Sequence, residues 1–508
     1  MPERLFYVAF GIDSEDSDAK SYFVSEDRKS VEAWVENGGK RPSDPATAGE
    51  ETARPEKPRR DVATRSATKV DSFSRITKHF LHSMNKLDQI IPKTMFLLPL
   101  AERTEMNLRF YRPLAKATTR IAKSEQFEIY ECGLEHLRLL ERARRDLWAL
   151  RNGRTSLPGM FLMGLVSSYD AFLSNLLHLI FLTKPEMLSS SERNISFKDL
   201  VELGSIDAAR NQMIEKEIET VLRQSHHAQF DSLEAKLGIP LRKDLAIWPK
   251  FVEICERRNL FTHTDGVVSR QYLQVCTDHK VELNRIAVGD QLTISRKYLR
   301  EALDVISELG WKLIQVVWRK LKPSEIGAAA WSLNDEAYEL LCRRRFQLAR
   351  TMLEFGLSFK KQGEEVVRKM MVVNLAIAVK SLGNVEEAYK ILDGEDWSAA
   401  SDKFKICVAA VRNDIDSVVK YIAKIAESEV SKGDFREWPA FRSIRNDPKF
   451  ITSFEQRFGE AFLPDRGSAD VGEMNRDERP TLALPDNTSS GENAETEALD
   501  PENSPQLQ

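Results

Sequence analysis

Three side chains near the middle of the chain have the chemistry needed to break a phosphodiester bond without a metal ion. They are Arg258, Asn259 and His263. Histidine, whose ordinary pKa is near neutrality, can remove or return a proton, and arginine keeps its charge and can stabilise a phosphate or its pentacovalent transition state. The set predicts RNA cleavage in which His263 deprotonates a ribose 2′-hydroxyl, Arg258 stabilises the charge on the phosphate oxygens and Asn259 orients the phosphate or the imidazole.

The sequence around these residues predicts one amphipathic helix from Pro249 to Thr262. Phe251, Ile254 and Cys255 are spaced to face a core, with Phe261 a further candidate, and Asp265-Gly266 supplies the positive φ with which many helices end. Proline is tolerated in the first turn of a helix. The helix therefore brings the three polar side chains to its carboxyl-terminal end.

The spacing of Arg258 and His263 creates a geometric difficulty. On a regular helix they point about 140° apart, whereas Asn259 and His263 share a face. Arg258 and His263 can therefore converge only if the helix loosens near Asp265, or if a second copy of the site contributes one of them. Arg257 competes with Arg258 for the same role.

Other polar clusters favour ordinary structural roles. His226 and His227 are adjacent, so on a helix they point about 100° apart, and we expect a solvated or helix-capping role for them rather than metal binding. The run Arg343-Arg344-Arg345 is expected to be a solvated turn. The sequence contains no glycine-rich phosphate loop and no paired cysteine ligands. We therefore expect neither a cofactor nor a metal site.

The residues from 158 to 322 resemble a HEPN domain, a helical bundle found in many prokaryotic defence and toxin ribonucleases. The resemblance rests on the motif from Arg258 to His263, on the following Thr264 to Val268 with Tyr272, and on Val166 to Leu173 in the preceding helix. It implies that the bundle dimerises and sets two motifs face to face, so that each copy completes the other's site. It also implies a role for Asp170, which corresponds to an acidic residue that many such domains carry near the site.

Composition indicates a globular protein of several domains. The 508 residues carry a formal net charge of −4, but Leu463 to Gln508 contain 11 acidic and 3 basic residues, so the body of the chain is mildly basic. Five scattered cysteines without a Cys-x-x-Cys pair favour a reducing compartment, and we expect a cytoplasmic protein without a secretory signal. Phe161 to Leu182 is apolar but contains Asp170, which predicts a buried bundle helix rather than a membrane span.

The pattern along the chain predicts an all-α fold with a HEPN-like helical bundle and an α-solenoid-like (TPR-like) repeat region. Residues 1–37 form a small segment that fits a β-hairpin made by Arg4 to Gly11 and Ser21 to Ser25. Residues 38–71 are rich in proline, glycine and charge, as in a flexible linker. Residues 72–157 form a helical region, with helices predicted at Ser72 to Gln89, Met106 to Ile121 and Glu128 to Leu150. Arg151 to Arg154 and Pro158 are expected to end it before the bundle of residues 158–322.

Within the bundle, periodicity predicts further helices at four places, and Ile286 to Ile294 is expected to be extended. The helices are Gly159 to Thr183, Lys198 to Leu203, Ala208 to Gln224 and Phe230 to Leu237. A long helix at Ser295 to Leu321 would close the bundle.

Residues 323–462 are predicted to form paired-helix repeats. Three runs share one outline, in which a helix is followed by a tight polar turn and a second helix; they are centred on Arg344, Gly383 and Asn413. The segment from Glu437 to Phe458 would cap the array, and an irregular helical bundle is the alternative. Residues 463–508 are too polar to bury a core and are expected to be a disordered acidic tail.

Three functions remain open from the sequence. The first is a metal-independent endoribonuclease of bacterial defence or toxin type, acting as a homodimer on RNA and leaving 2′,3′-cyclic phosphate ends. The second is a non-catalytic adaptor whose repeats bind a protein partner. The third is an RNA- or nucleotide-binding sensor that uses Arg258 without turnover. None of the three requires a membrane.

Overall fold

The chain is described by a computed structural model over residues 5–11, 22–25, 27–36, 72–105, 119–123, 127–188, 196–283, 285–361 and 363–463. The predicted linker 38–71 and nearly all of the predicted acidic tail lie outside these residues. Helices dominate the described chain, which confirms the all-α prediction. The strands are β1 Leu5–Gly11, β2 Tyr22–Ser25, β3 Thr119–Lys123 and β4 Phe127–Gly133.

The helices fall into an amino-terminal group, a bundle and a repeat region. The first two groups are α1 Arg28–Glu36, α2 Phe73–Glu105, α3 Leu134–Thr183, α4 Phe197–Leu203, α5 Ile206–Leu222, α6 His226–Leu237, α7 Trp248–His263, α8 Arg270–Asp278 and α9 Arg296–Leu321. The repeat region contains α10 Ile326–Cys342, α11 Phe346–Ser358, α12 Glu365–Ser381, α13 Val385–Asp393, α14 Asp402–Val411, α15 Ile415–Lys424, α16 Lys432–Glu437 and α17 Pro448–Phe458. Short 3-10 turns lie at Pro185–Leu188, Pro323–Glu325 and Pro439–Phe441.

The four strands form one antiparallel sheet in the order β2-β1-β4-β3. The pairing of β1 with β2 confirms the predicted amino-terminal hairpin. The helices predicted at Met106 to Ile121 and Glu128 to Leu150 are wrong where they overlap the strands, and residues 106–118 are outside the described chain. Strand β4 pairs with β1 along its whole length, from Phe127 opposite Gly11 to Gly133 opposite Leu5. That partner lies far away in sequence, so local periodicity could not indicate it.

Helix α3 continues without interruption from Leu134 to Thr183, so the predicted break at Arg151 to Arg154 and Pro158 is wrong. Proline inside a helix removes a backbone hydrogen bond and costs about 3 kcal/mol. Packing offsets that cost here, because α3 lies along α2 and both Pro158 and Gly159 are buried. Arg154 on α3 also forms an ion pair with Glu102 on α2, with 3.3 Å between Nη1 and Oε2.

Helix α3 is also the centre of the bundle, where it contacts α2, α5, α7 and α9. In its second half, residues such as Leu165, Tyr169 and Leu176 are fully buried, and α9 contributes an equally buried stripe. Among the described residues, α3 is the one helix long and apolar enough to cross a membrane by length and composition, and 56% of its most apolar window is buried inside the protein. This packing matches the prediction of a buried bundle helix.

The three predicted repeat turns have the same backbone geometry. Their middle residues Arg344, Gly383 and Asn413 all have positive φ values, of 59°, 93° and 57°. In each turn the next amide donates back to a carbonyl five residues earlier, as from Asp414 to Ala409 at 2.9 Å, and the same bond closes the other two turns. These bonds satisfy the carbonyls left open at a helix end. The helix pairs α10–α11, α12–α13 and α14–α15 therefore repeat one supersecondary unit.

The repeats continue the core of the bundle, because one buried apolar cluster extends from Phe73 to Phe462. Arg345, in the first repeat turn, pairs with Asp88 on α2, with 2.8 Å between Nη1 and Oδ1, and also with Asp304 on α9. Its side chain is only 6% exposed, so the expectation of a solvated turn is wrong for Arg345, whereas Arg343 and Arg344 are exposed. A turn arginine can cross to a neighbouring helix when carboxylates there compensate its charge.

Candidate functional site

Helix α7 ends as its sequence predicts. The amide of Thr264 donates to the carbonyl of Leu260 at 2.8 Å, and the amide of Gly266 donates to the same carbonyl at 3.2 Å. Asp265 and Gly266 have φ values of 52° and 87°, which turn the chain away from the helix axis. Val267 then pairs with Gln291, so the predicted extended segment at Ile286 to Ile294 exists as one bridge.

Arg257 is committed to the interior of the bundle and does not compete with Arg258. Its Nε donates to Glu253 at 2.6 Å, and its guanidinium lies 4.2 Å from the ring centre of Tyr298. The same carboxylate accepts hydrogen bonds from Tyr272 at 2.8 Å and Tyr298 at 2.7 Å. With Arg257 only 14% exposed, this network joins α7 to α8 and α9. Arg257 is therefore a structural residue.

Arg258 faces the other side of α7, toward Asp170 on α3. The nearest atoms, Nη2 of Arg258 and Oδ2 of Asp170, are 3.7 Å apart, and the two side chains are 24% and 34% exposed. The side chain of Arg258 donates no hydrogen bond within the described part of the chain, and its Nε is buried without a partner. Most of the hydrogen-bonding capacity of this guanidinium is thus unused. Two of the sequence-predicted site residues lie side by side.

His226, at the start of α6, contacts the same carboxylate, although its sequence context predicts a solvated or helix-capping role. Its Nε2 lies 3.0 Å from Oδ1 of Asp170, and its ring packs against Phe251 with 5.9 Å between ring centres. The side chain is 9% exposed, so a solvated or capping role is wrong for His226. Burial alone would lower the pKa of His226, but hydrogen bonds and charge at Cys255 and Asp170 outweigh burial and raise that pKa to about 10.

The sequence does contain a signal for His226. On a helix His226, Phe230, Leu233 and Leu237 share one face, and the last three are fully buried. A histidine on such a stripe is expected to be buried and to need a polar partner. The adjacent His227 makes the two histidines look like a polar pair, so the apolar stripe is difficult to recognise in the sequence. His227 is half-buried, and its Nε2 lies 3.0 Å from the hydroxyl of Ser225.

Asn259 lies beside the carboxylate of Glu256. Its Nδ2 donates to Oε1 of Glu256 at 3.3 Å, and Asn259 is half-buried. Burial raises the pKa of the Glu256 carboxyl, while the amide of Asn259 and the cations of His226, His227 and Arg258 act against that rise. Asn259 is therefore oriented by its own helix, and its amide oxygen is available to a ligand.

His263 is the last residue of α7 and is exposed. No hydrogen bond or ion pair links it to Arg258 among the described residues. Because α7 stays helical through His263, the turn of about 140° between the two side chains is retained. A single chain therefore pairs Arg258 with Asp170, whereas Asn259 bonds to Glu256 on its own helix and His263 lies at the end of that helix.

Among the described residues no group of three or more His, Cys, Asp or Glu side chains is arranged to hold a metal ion. No family model, no curated protein and no solved structure matches this chain. The resemblance to a HEPN domain therefore stays a prediction.

Proposed function

We propose that the protein is a metal-independent endoribonuclease whose site consists of Arg258, Asn259 and His263 with Asp170 beside them. The observation that carries the proposal is the state of Arg258. Its guanidinium is partly exposed, has one long ion pair and donates no side-chain hydrogen bond in the described chain. The neighbouring Arg257 looks different, since one carboxylate and a tyrosine ring engage its guanidinium.

An arginine in this state suits a phosphodiester that gains charge during reaction. Guanidinium N–H groups match phosphate oxygens in geometry, and a donor held in place before reaction stabilises the transition state without further reorganisation. Asp170 contacts the partly exposed guanidinium of Arg258 through Nη2 at ion-pair distance, and the guanidinium donates no hydrogen bond to a protein group among the described residues. The amide of Asn259 lies one residue further along the helix and can accept from, or orient, a group bound there.

His263 supplies the proton transfer in this proposal. Its exposed position suits a base that must reach a ribose 2′-hydroxyl. Since α7 points His263 away from Arg258 of the same chain, the proposal includes a homodimer in which His263 of one copy completes the site around Arg258 of the other. Attack of the 2′-oxygen on phosphorus expels the 5′-oxygen of the next nucleotide and leaves a 2′,3′-cyclic phosphate.

The test is cleavage of a mixed-sequence RNA in EDTA by the parent protein, Arg258→Ala and His263→Ala. We expect each variant to lose at least about 100-fold in rate, the usual contribution of one positioned acid, base or charge donor. Two control variants remove residues of the same types elsewhere: Arg412→Ala removes an arginine of the repeat region, and His82→Ala removes a histidine of α2. Both variants should cleave RNA at the parent rate. Unchanged cleavage by Arg258→Ala or His263→Ala would remove that residue from the mechanism.

Two further measurements separate this proposal from its alternatives. If a mixture of the two inactive variants regains activity, each copy contributes one residue to a shared site. If light scattering shows that the parent protein is a monomer and it still cleaves RNA, the dimer is excluded. RNA that is bound but never cut, with binding lost in Arg258→Ala, would indicate a sensor. A dimer that neither binds nor cuts RNA and captures a protein through residues 323–462 would indicate an adaptor.

A further inference from the structure

We propose that His226 is a positioning residue that acts through Asp170 to set the orientation of Arg258. The inference rests on the proposed function, because it assigns His226 a part in the site that contains Arg258. His226 does not contact a substrate in this scheme. It fixes the carboxylate, and the carboxylate fixes the guanidinium.

The geometry of Asp170 supports this assignment. One carboxylate oxygen, Oδ1, lies 3.0 Å from Nε2 of His226, and the other, Oδ2, lies 3.7 Å from Nη2 of Arg258. The short contact is of hydrogen-bond length and the long contact is a pure ion pair. The hydrogen bond with His226 therefore fixes the carboxylate of Asp170, and Arg258 lies beside the second oxygen of that carboxylate.

The surroundings of His226 make it a rigid anchor. Its ring lies edge-on to Phe251, with an interplanar angle of 83°, and 6.2 Å from the ring centre of Tyr169. Both aromatic residues are completely buried. A ring enclosed in this way cannot follow Asp170 if the carboxylate moves, because rotation would displace core side chains. The donor to Asp170 is thus fixed by the core of the bundle.

Without His226 the carboxylate would turn to Arg258, the other cation that it contacts among the described residues. Carboxylate and guanidinium groups frequently form bidentate pairs with two parallel N–H···O bonds. Asp170 would then close on Arg258, accept hydrogen bonds from guanidinium N–H groups that now donate to no protein group among the described residues, and withdraw them from an incoming phosphate. His226 keeps Arg258 available by holding Asp170 back. This differs from simple stabilisation, because it predicts that losing His226 strengthens the contact between Asp170 and Arg258.

The chemical reactivity of Arg258 tests this prediction without any substrate. Phenylglyoxal modifies guanidinium groups, and mass spectrometry of peptides reports the rate at each arginine of the folded protein. We expect slower modification of Arg258 in His226→Leu, by about fivefold, because the pair with Asp170 tightens, and faster modification in Asp170→Asn, because the pair is lost. His227→Gln, on the adjacent half-buried ring, should leave the rate unchanged. Partial unfolding would instead accelerate many arginines together.

Cleavage kinetics give the second measurement. His226→Leu should lower kcat by about 100-fold, as a misplaced catalytic group does, with little change in KM. His226→Gln places an amide Nε2 near the original donor atom and should recover most of kcat and the normal modification rate of Arg258. If Arg258 reacts at the parent rate, or faster, in a folded His226→Leu variant, the inference is wrong. If the parent does not cleave RNA, the proposed function fails, and the modification rates alone decide whether His226 positions Arg258.

Discussion

The carboxylate of Glu253 accepts a hydrogen bond from the hydroxyl of Tyr298 at 2.7 Å, which joins the helix of the candidate site to the long helix that closes the bundle. Glu253 also holds Arg257 and Tyr272. The position of Arg258 and His263 on α7 therefore depends on a network that anchors an earlier part of the same helix. This network gives the first prediction.

Glu253→Gln should lower the free energy of unfolding by about 3 kcal/mol, because it leaves the charge of Arg257 buried without a counter-ion. Urea unfolding followed by circular dichroism measures the change. Glu301→Gln is the matched control, since Glu301 pairs with Lys297 at 3.9 Å on the exposed face of α9 and should change stability by less than about 0.5 kcal/mol. Equal effects of the two substitutions would mean that the buried network contributes no more than a surface pair.

The turn at Gly383 supports a prediction about the repeats. Its φ of 93° lies in the region that favours glycine, so Gly383→Ala should destabilise the protein by about 1 kcal/mol. Gly394→Ala is the control at a helix end with a φ of −68°, where an added methyl meets only ordinary contacts, and it should be neutral or slightly stabilising. A thermal unfolding series that shows the same loss for both would contradict the backbone argument.

Sequence reasoning succeeded where the cause of a structure is local. Asp265 and Gly266 end α7 through their own φ values, and the repeat turns at Arg344 and Asn413 are recognisable from the polar residues between two apolar helices. It failed where the cause is distant in sequence. Strand β4 exists because β1 pairs with it, and α3 passes Pro158 because α2 and α7 cover that part of the helix.

The candidate site shows the same division. Arg258, Asn259 and His263 follow from a short motif, and Asp170 was placed near them by resemblance; the structure puts Asp170 next to Arg258. His226 comes from another helix, and its short hydrogen bond to Asp170 depends on how three helices pack. Spacing along the chain carries no information about such a contact.

The pKa of His226 predicts how stability depends on pH. Because the folded-state pKa is raised from 6.5 to about 10, the protonated ring stabilises the fold fully below about pH 6.5, and this stabilisation is lost as the pH rises toward 10. The groups that act on it are Asp170 and Cys255, and His226 in turn acts on Glu256. Urea unfolding of the parent protein and of His226→Gln at several pH values from 6 to 10 isolates this contribution. The stability difference between the two proteins should shrink across that range, and a difference that grows with pH would contradict the assignment.

Gly266 lies in the turn that ends α7, where its α-carbon is close to Phe261 and Leu292. A methyl group there would lie 2.9 Å from Cζ of Phe261 and 3.1 Å from the carbonyl oxygen of Leu292, at a φ of 87°. Gly289→Ala is a close control, because its φ of 93° carries the same backbone cost while nothing lies within 4 Å of the added methyl.

Both substitutions should cost about 1 kcal/mol from the backbone alone, and Gly266→Ala should cost about 1–3 kcal/mol more because Phe261 and the segment at Leu292 must move. Phe261 lies two residues before His263, so its displacement should also shift the exposed imidazole. We therefore expect RNA cleavage to fall by about 10-fold or more in Gly266→Ala at a temperature where the protein remains folded, and to stay normal in Gly289→Ala. Urea unfolding and initial cleavage rates measured on the same samples separate the two effects. Equal stabilities of the two variants would show that Phe261 and Leu292 accommodate the methyl group, and full cleavage by a destabilised Gly266→Ala would show that the position of His263 does not depend on Phe261.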